Sequence, residues 1–229
     1  MNPESERPYA IYLLAIRGTL SSPTLEAARL IHNETAGAPA NVAAAQSLGD
    51  LSHMVHVPVD RPKSGPSEFL ILDLWNSLEG LNKFFANPQV QEQAGRIFSA
   101  RDPIVWAPAE TFTSYHIPSP FGKNERFVAI ARGKAGAGDE FRARHNTMVA
   151  LHINKARRAS NMSHQAFFRL AQPGSPEASE FLAMDVWMSA AGMNQHYQDQ
   201  DFVRGFHDLF SSAPSTSAWV HPPGDWVEW

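Results

Sequence analysis

The sequence contains no cysteine. Disulfides, thiolate metal sites and cysteine nucleophiles are therefore excluded. It also lacks a positive excess: 19 Lys and Arg stand against 23 Asp and Glu, a net charge of −4 with neutral histidines. That argues against a general binder of phosphate backbones, which needs a basic face. No apolar run approaches the roughly 18 residues of a membrane-spanning helix. The polar start MNPESERP has no apolar stretch of the signal-peptide kind. There is no phosphate-binding glycine loop, no Gly-x-Ser-x-Gly elbow and no His-Glu-x-x-His. Gly133-Lys-Ala-Gly136-Ala-Gly138 lacks the dinucleotide spacing and reads as a loop. The expectation is a cytoplasmic, soluble protein without nucleic-acid or membrane partners.

What is present is a globular composition, 43% hydrophobic and 10% aromatic over 229 residues. That length supports one large core or two of roughly 110 residues each. An internal repeat decides for two. Glu68-Phe-Leu-Ile-Leu-Asp73-Leu-Trp75-Asn-Ser77-Leu-Glu-Gly80 recurs as Glu180-Phe-Leu-Ala-Met-Asp185-Val-Trp187-Met-Ser189-Ala-Ala-Gly192. Phe98-Ser99 recurs as Phe210-Ser211, Ser52-His53 as Ser163-His164, and Arg17-Gly18 as Arg132-Gly133. Arg29, His32 and Asn33 recur as Arg142, His145 and Asn146. The offset drifts by a few residues, each change falling where a loop tolerates it. The expected organisation is a first repeat over 1–116, a linker over 117–123 with prolines and a glycine, and a second repeat over 124–229.

In the first repeat, Tyr9–Arg17 is apolar and β-prone and predicts a strand. Ser21-Ser22-Pro23 predicts a helix start, and Gly37-Ala-Pro39 ends or interrupts that helix. Strands follow over 50–60 and 68–75. A helix capped by Ser77 and restarted by Pro88 runs to Ser99, and Ile104–Tyr115 closes as a strand. The second repeat reads alike: strand 126–132, helix 138–157, strands 162–171 and 180–187, helix 189–211, strand 215–221. The fold class is thus α+β, with two ferredoxin-like βαββαβ repeats. Each sheet has one face covered by helices and one open face to bury. Two copies on one chain can close as an intramolecular barrel.

The junction Asp73/Trp75/Ser77 and Asp185/Trp187/Ser189, a strand-ending Trp before a Ser-capped helix, resembles the dimeric α/β-barrel superfamily, and within it the antibiotic-biosynthesis monooxygenase-like domains. The resemblance covers nearly the whole chain as two fused copies and implies an intramolecular version of a barrel usually made by two chains. It implies a range of activities: cofactor-independent oxygenation of aromatic polyketides, lactone isomerisation, and haem binding or degradation. In haem-handling members a His of the second helix is the iron ligand, with an Asn near the first strand. His196 matches that position, whereas neither first strand, Tyr9–Arg17 or Phe127–Arg132, offers an Asn.

The sharpest constellation is Glu26-x-x-Arg29-x-x-His32-Asn33, repeated as Asp139-x-x-Arg142-x-x-His145-Asn146. Spacings of three and four place these residues on one helical stripe. A histidine there can act as general base and an Asn amide can hold an oxyanion, which makes His32, Asn33, His145 and Asn146 the catalytic candidates. The alternative is a cap with a surface ion pair. Arg29 and Arg142, His53 and His164, Trp75 and Trp187, and Asp73 and Asp185 are the substrate-binding candidates. The two Asp are equally explained by ion pairs with Arg17 and Arg132. A two-His metal site lacks a carboxylate at diagnostic spacing, so neither metal nor cofactor is expected. Three functions stand side by side. One is a cofactor-independent monooxygenase-like enzyme acting on a small hydrophobic, polyketide-like molecule. The second is a non-catalytic small-ligand or stress-related barrel. The third is a haem protein. A homodimer of the fused barrel stays open.

Overall fold

The computed structural model describes residues 11–61, 67–116, 126–136, 138–170 and 180–229. They fall into two compact units. One holds the residues up to Ala107 together with Pro222–Trp229; the other runs from Pro108 to His221. The division differs from the repeat boundaries. The segment 108–116 belongs with the second unit, and 222–229 belongs with the first. The expected linker 117–123 lies outside the described residues, as does Tyr9.

The first unit is built from β1 (Tyr12–Leu20), α1 (Leu25–Glu34), α2 (Pro39–Ser47), β2 (Asp50–Pro58), β3 (Glu68–Trp75), α3 (Leu78–Phe85), α4 (Pro88–Ile97) and β4 (Phe98–Pro108). Its antiparallel sheet has the order β4-β1-β3-β2. The second unit contains β5 (Tyr115–His116), β6 (Phe127–Lys134), α5 (Gly138–Arg158), β7 (Asn161–Arg169), β8 (Glu180–Trp187), α6 (Ala190–Tyr197), α7 (Gln200–His207) and β9 (Ser215–Val220). Its sheet, also antiparallel, has the order β9-β6-β8-β7-β5. Each unit is therefore an α+β, ferredoxin-like βαββαβ arrangement, with one short extra strand in the second. Among the described residues no helix is long and apolar enough to cross a membrane.

Local chemistry explains most boundaries. Thr24, rather than Ser21 or Ser22, caps α1 and accepts from the Ala27 amide at 3.2 Å. Pro39 has no amide to continue a helix, so the first unit breaks into α1 and α2 where the second carries α5 unbroken. The helix expected over 189–211 is two pieces, because Asp199 accepts from the Asp201 amide at 3.0 Å and starts α7. The closing strand of the first unit begins at Phe98, six residues before the expected Ile104. Half-buried Arg101 and exposed Asp102 interrupt its apolar pattern and conceal its first half from the sequence.

Ser77 and Ser189 cap α3 and α6 as expected, accepting from the Gly80 and Gly192 amides at 2.9 and 3.1 Å. Those glycines have a second duty. A β-carbon on Gly80 would collide with the Leu48 carbonyl, and one on Gly192 with that of Ala159. The second helix of each unit is thereby pressed onto the turn that leads into β2 or β7, which fixes the distance between helix and sheet. Gly80→Ala and Gly192→Ala are each expected to destabilise by about 1–3 kcal/mol. Gly95→Ala, in exposed α4 with open space around it, is expected to stabilise by about 0.5–1 kcal/mol. Urea unfolding of the three variants checks this.

Candidate functional site: a buried chain of hydrogen bonds in each unit

In the first unit His53 on β2 lies directly opposite Asp73 on β3, and cross-strand neighbours of this kind meet. His53 Nδ1 is 2.7 Å from Asp73 Oδ1. From the other side α1 brings His32, whose Nε2 lies 2.9 Å from His53 Nε2. His32 Nδ1 is 3.1 Å from Asn33 Oδ1. The second unit repeats the chain: Asp185 to His164 at 2.8 Å, His164 to His145 at 3.1 Å, and His145 to Asn146 at 3.1 Å. His32 is 0% and His145 1% exposed.

The Asn residues do not face a pocket. Asn33 donates to the Asp225 carbonyl at 2.8 Å and accepts from the Val227 amide at 3.0 Å. Asn146 does the same with Thr111 and Thr113, at 3.0 and 2.7 Å. Each side chain thus stands in for a neighbouring strand and holds one arm, 222–229 in the first unit and 108–116 in the second. Trp229 then pairs with His53 through both backbone bonds, and Tyr115 pairs with His164. The arm rings cover the histidines: Trp229 stacks on His53 at 4.5 Å, Trp226 meets His32 at 5.2 Å, and Phe112 meets His145 at 5.1 Å. An oxyanion role for Asn33 and Asn146 is displaced by this clamp, since the Oδ1 and Nδ2 of both are already engaged.

The clamp also settles the proton count. Asn33 Oδ1 accepts from Val227, so it is the oxygen that faces His32 Nδ1, which must carry a hydrogen. Three hydrogen bonds then run between two oxygen acceptors and four ring nitrogens, and need three protons. Two neutral imidazoles hold two. The two rings and the Asp73 carboxyl therefore share three protons. Burial, then the neighbouring His53, pushes His32 down to about 4, so it is a neutral imidazole at pH 7. Burial and His164 do the same to His145, also to about 4. Burial raises the Asp185 carboxyl, but the charge and hydrogen bond of His164 and the bond from Tyr197 outweigh it and hold it below its ordinary value.

Other candidates are placed as follows. Arg17 and Arg132 pair with Glu68 and Glu180, not with Asp73 and Asp185. Arg142 pairs with Asp139 at 2.9 Å and reaches Thr111 Oγ1 at 3.2 Å, at the outer side of the arm. Arg29 lies along Gly224. Neither Arg29 nor Arg142 lines a chamber. Trp75 and Trp187 are fully buried and do line the chambers between sheet and helices, together with His53 and Asp73, or His164 and Asp185.

Those chambers are small, about 60 Å³ in the first unit and about 40 Å³ in the second. The second adjoins a cleft of about 440 Å³ between α6–α7 and β6–β9, within the range of ligand pockets of about 300–1,000 Å³. Tyr197 lines both chamber and cleft, and its hydroxyl donates to Asp185 Oδ2 at 2.5 Å. Burial and Asp185 keep it a phenol, well above its ordinary pKa.

The units diverge around the chain. Tyr197 corresponds to Phe85, His196 to Phe84, Tyr115 to Trp229, and Asn161 to Asp50. Tyr115 donates to Asn161 Oδ1 at 2.7 Å. Asp50 is pushed up to about 8 by burial and by Asp73, against the opposing pull of the Ser52 backbone and Trp229. Asp50 and Tyr115 are not among the residues the sequence singles out as candidates. The only available signal for Asp50 was its alignment with Asn161 beside the repeated Ser-His pair. His196 is buried among Trp187, Tyr197 and Phe202, where burial lowers it to about 4. The 40 Å³ beside it does not admit a porphyrin, so the residues as packed do not fit a haem. Among the described residues, no group of three or more His, Asp or Glu is arranged to hold a metal ion.

No protein-family model matches this sequence, and no curated protein matches it. Solved structures do match in fold. A monooxygenase candidate from Fusobacterium nucleatum subsp. nucleatum aligns at TM-score 0.62 and 8% identity, over 96% of this chain and 98% of that one. An anthrone oxidase-like protein aligns at 0.57 and 14%, over 95% and 93%. A chlorite dismutase variant from Candidatus Nitrospira defluvii aligns at 0.56 and 10%, over 94% and 93%. The likeness is one of fold.

Two outcomes follow from the buried chain. Asn33→Ala removes both bonds to its arm and is expected to cost about 1–3 kcal/mol. Amide exchange at 225–229 should accelerate far more than exchange in β1. Acid should also destabilise the protein. An unfolded histidine takes up a proton near pH 6.5, whereas native His32 and His145 do so only near 4. Stability present above pH 6.5 is lost as the pH falls toward 4, by about 2 kcal/mol per histidine at pH 5. Chemical unfolding at pH 7 and pH 5 measures it.

Proposed function

We propose that the chain is a monooxygenase-like enzyme acting on a small hydrophobic, aromatic molecule without a bound cofactor, and that the second unit carries the working site. The observation that supports this is the position of Tyr197. Its ring borders a cleft large enough for a tricyclic aromatic, and its hydroxyl ends a chain of hydrogen bonds through Asp185 and His164 to His145. An acidic C–H of a bound anthrone-like substrate passes its proton to the Tyr197 oxygen as the phenol proton moves to the Asp185–His164 pair. A phenol that relays in this way needs no ionised resting state. The carbanion then reduces molecular oxygen, and loss of water from the resulting hydroperoxide gives the ketone: R₂CH₂ + O₂ yields R₂C=O + H₂O. His145 terminates the relay, Asn146 orients it through the arm, and Trp187 walls the chamber. The apolar lining of cleft and chamber excludes water from the carbanion.

Anthrone is the test substrate, in an oxygen electrode. The native chain is expected to consume oxygen, and Tyr197→Phe to lower kcat by about 10²–10³ with little change in melting temperature. A wild-type rate in Tyr197→Phe sinks the relay. Saturable anthrone binding with no oxygen uptake selects the non-catalytic ligand-binding reading. A Soret band on haemin titration selects the haem reading.

A further inference from the structure

The first unit has kept the chain but not the Tyr that would connect it to a cleft, and its chamber has changed in a specific way. In the second unit the position two residues before the Ser-His pair is Asn161, a neutral amide whose oxygen is satisfied by Tyr115. In the first unit it is Asp50, 5% exposed, whose Oδ1 lines the chamber without a hydrogen-bond partner. Burying an acid is costly unless a positive partner accompanies it. The Ser52 backbone and Trp229 are the neighbouring donors of Asp50, and its Oδ1 is left without one. The chamber residues from α2, α3 and α4 are Ala, Val, Ile, Phe, Asn and Gln, none of which titrates. The walls include the rings of Trp75, Phe84, Phe85 and Trp229.

We infer that this chamber binds a small primary alkylammonium ion, with its N–H donating to Asp50 Oδ1 and its charge and alkyl group held among the aromatic rings. An ammonium supplies a donor to the unpartnered Oδ1 and a positive charge beside the carboxylate, and ring faces attract cations. The space of about 60 Å³ limits the ligand to a few carbons. Asp50, held near 8 by burial and Asp73, loses its proton when the cation enters. This site is independent of the reading of the second unit.

The test is calorimetric titration of the full chain with n-propylammonium and with n-propanol, its neutral near-isostere. Propylammonium is expected to saturate and to bind at least about tenfold tighter than propanol. Its affinity should rise about fifty-fold from pH 6 to pH 8, because the carboxylate must form. Asp50→Asn, which copies the second unit, should bind propylammonium at least about tenfold more weakly with an equal or higher melting temperature. Phe84→Leu keeps the acid and should weaken binding several-fold; it serves if Asp50→Asn does not fold. Lack of saturation, equal affinity for propanol, or undiminished binding by the variants would overturn the assignment.

Discussion

The contact between two imidazoles, His32 with His53 and His145 with His164, is the interaction on which each unit depends. It is the only link in the chain that joins helix to sheet, since His53 and Asp73 already share the sheet and His32 and Asn33 already share the helix. A hydrogen bond between two buried rings is directional, and here it sets which face of α1 or α5 looks inward. The glycines at the start of α3 and α6 set the same spacing by close backbone approach. Polar and steric constraints agree on one helix-to-sheet geometry, the consistency expected of a specified fold. The charge count follows. Three bonds require three protons, one more than two neutral rings hold, and the rings and the aspartate share them.

Much of this architecture was legible in the sequence because its signals are local. The strands 68–75 and 180–187 are continuous apolar runs, and the Ser-x-x-Gly caps that follow them are a few residues long. The closing strand of the first unit was misplaced because the charged residues Arg101 and Asp102 sit within it. Sequence patterning registers polarity and not the bonds of the backbone. The site was legible by identity but not by role. The repeat marked out His32, Asn33, His53 and Asp73. It could not show that Asn33 grips a segment 192 residues away in the chain, because no spacing rule spans that distance. Trp226 and Trp229 were equally hard to place, since their partners are set by the arm and not by neighbours in sequence.

Comparison of the units separates scaffold from variable equipment. The Asp–His–His–Asn chain, the caps and the arm clamp are the same in both. The residues that touch chamber space differ: Tyr197, His196, Tyr115 and Asn161 in one, Phe85, Phe84, Trp229 and Asp50 in the other. The second unit extends its chain to a cleft through a phenol. The first ends in rings and a buried acid.

The membership of Pro222–Trp229 in the first unit bears on the order in which the protein can be made. During synthesis the N-terminal residues emerge first, with α1 and the sheet strands free to assemble. His53 then lacks its stacked indole, and Asn33 lacks the strand it grips. Those groups stay open to water until the ribosome has delivered more than 110 further residues. The first unit to be translated is thus the last to be finished.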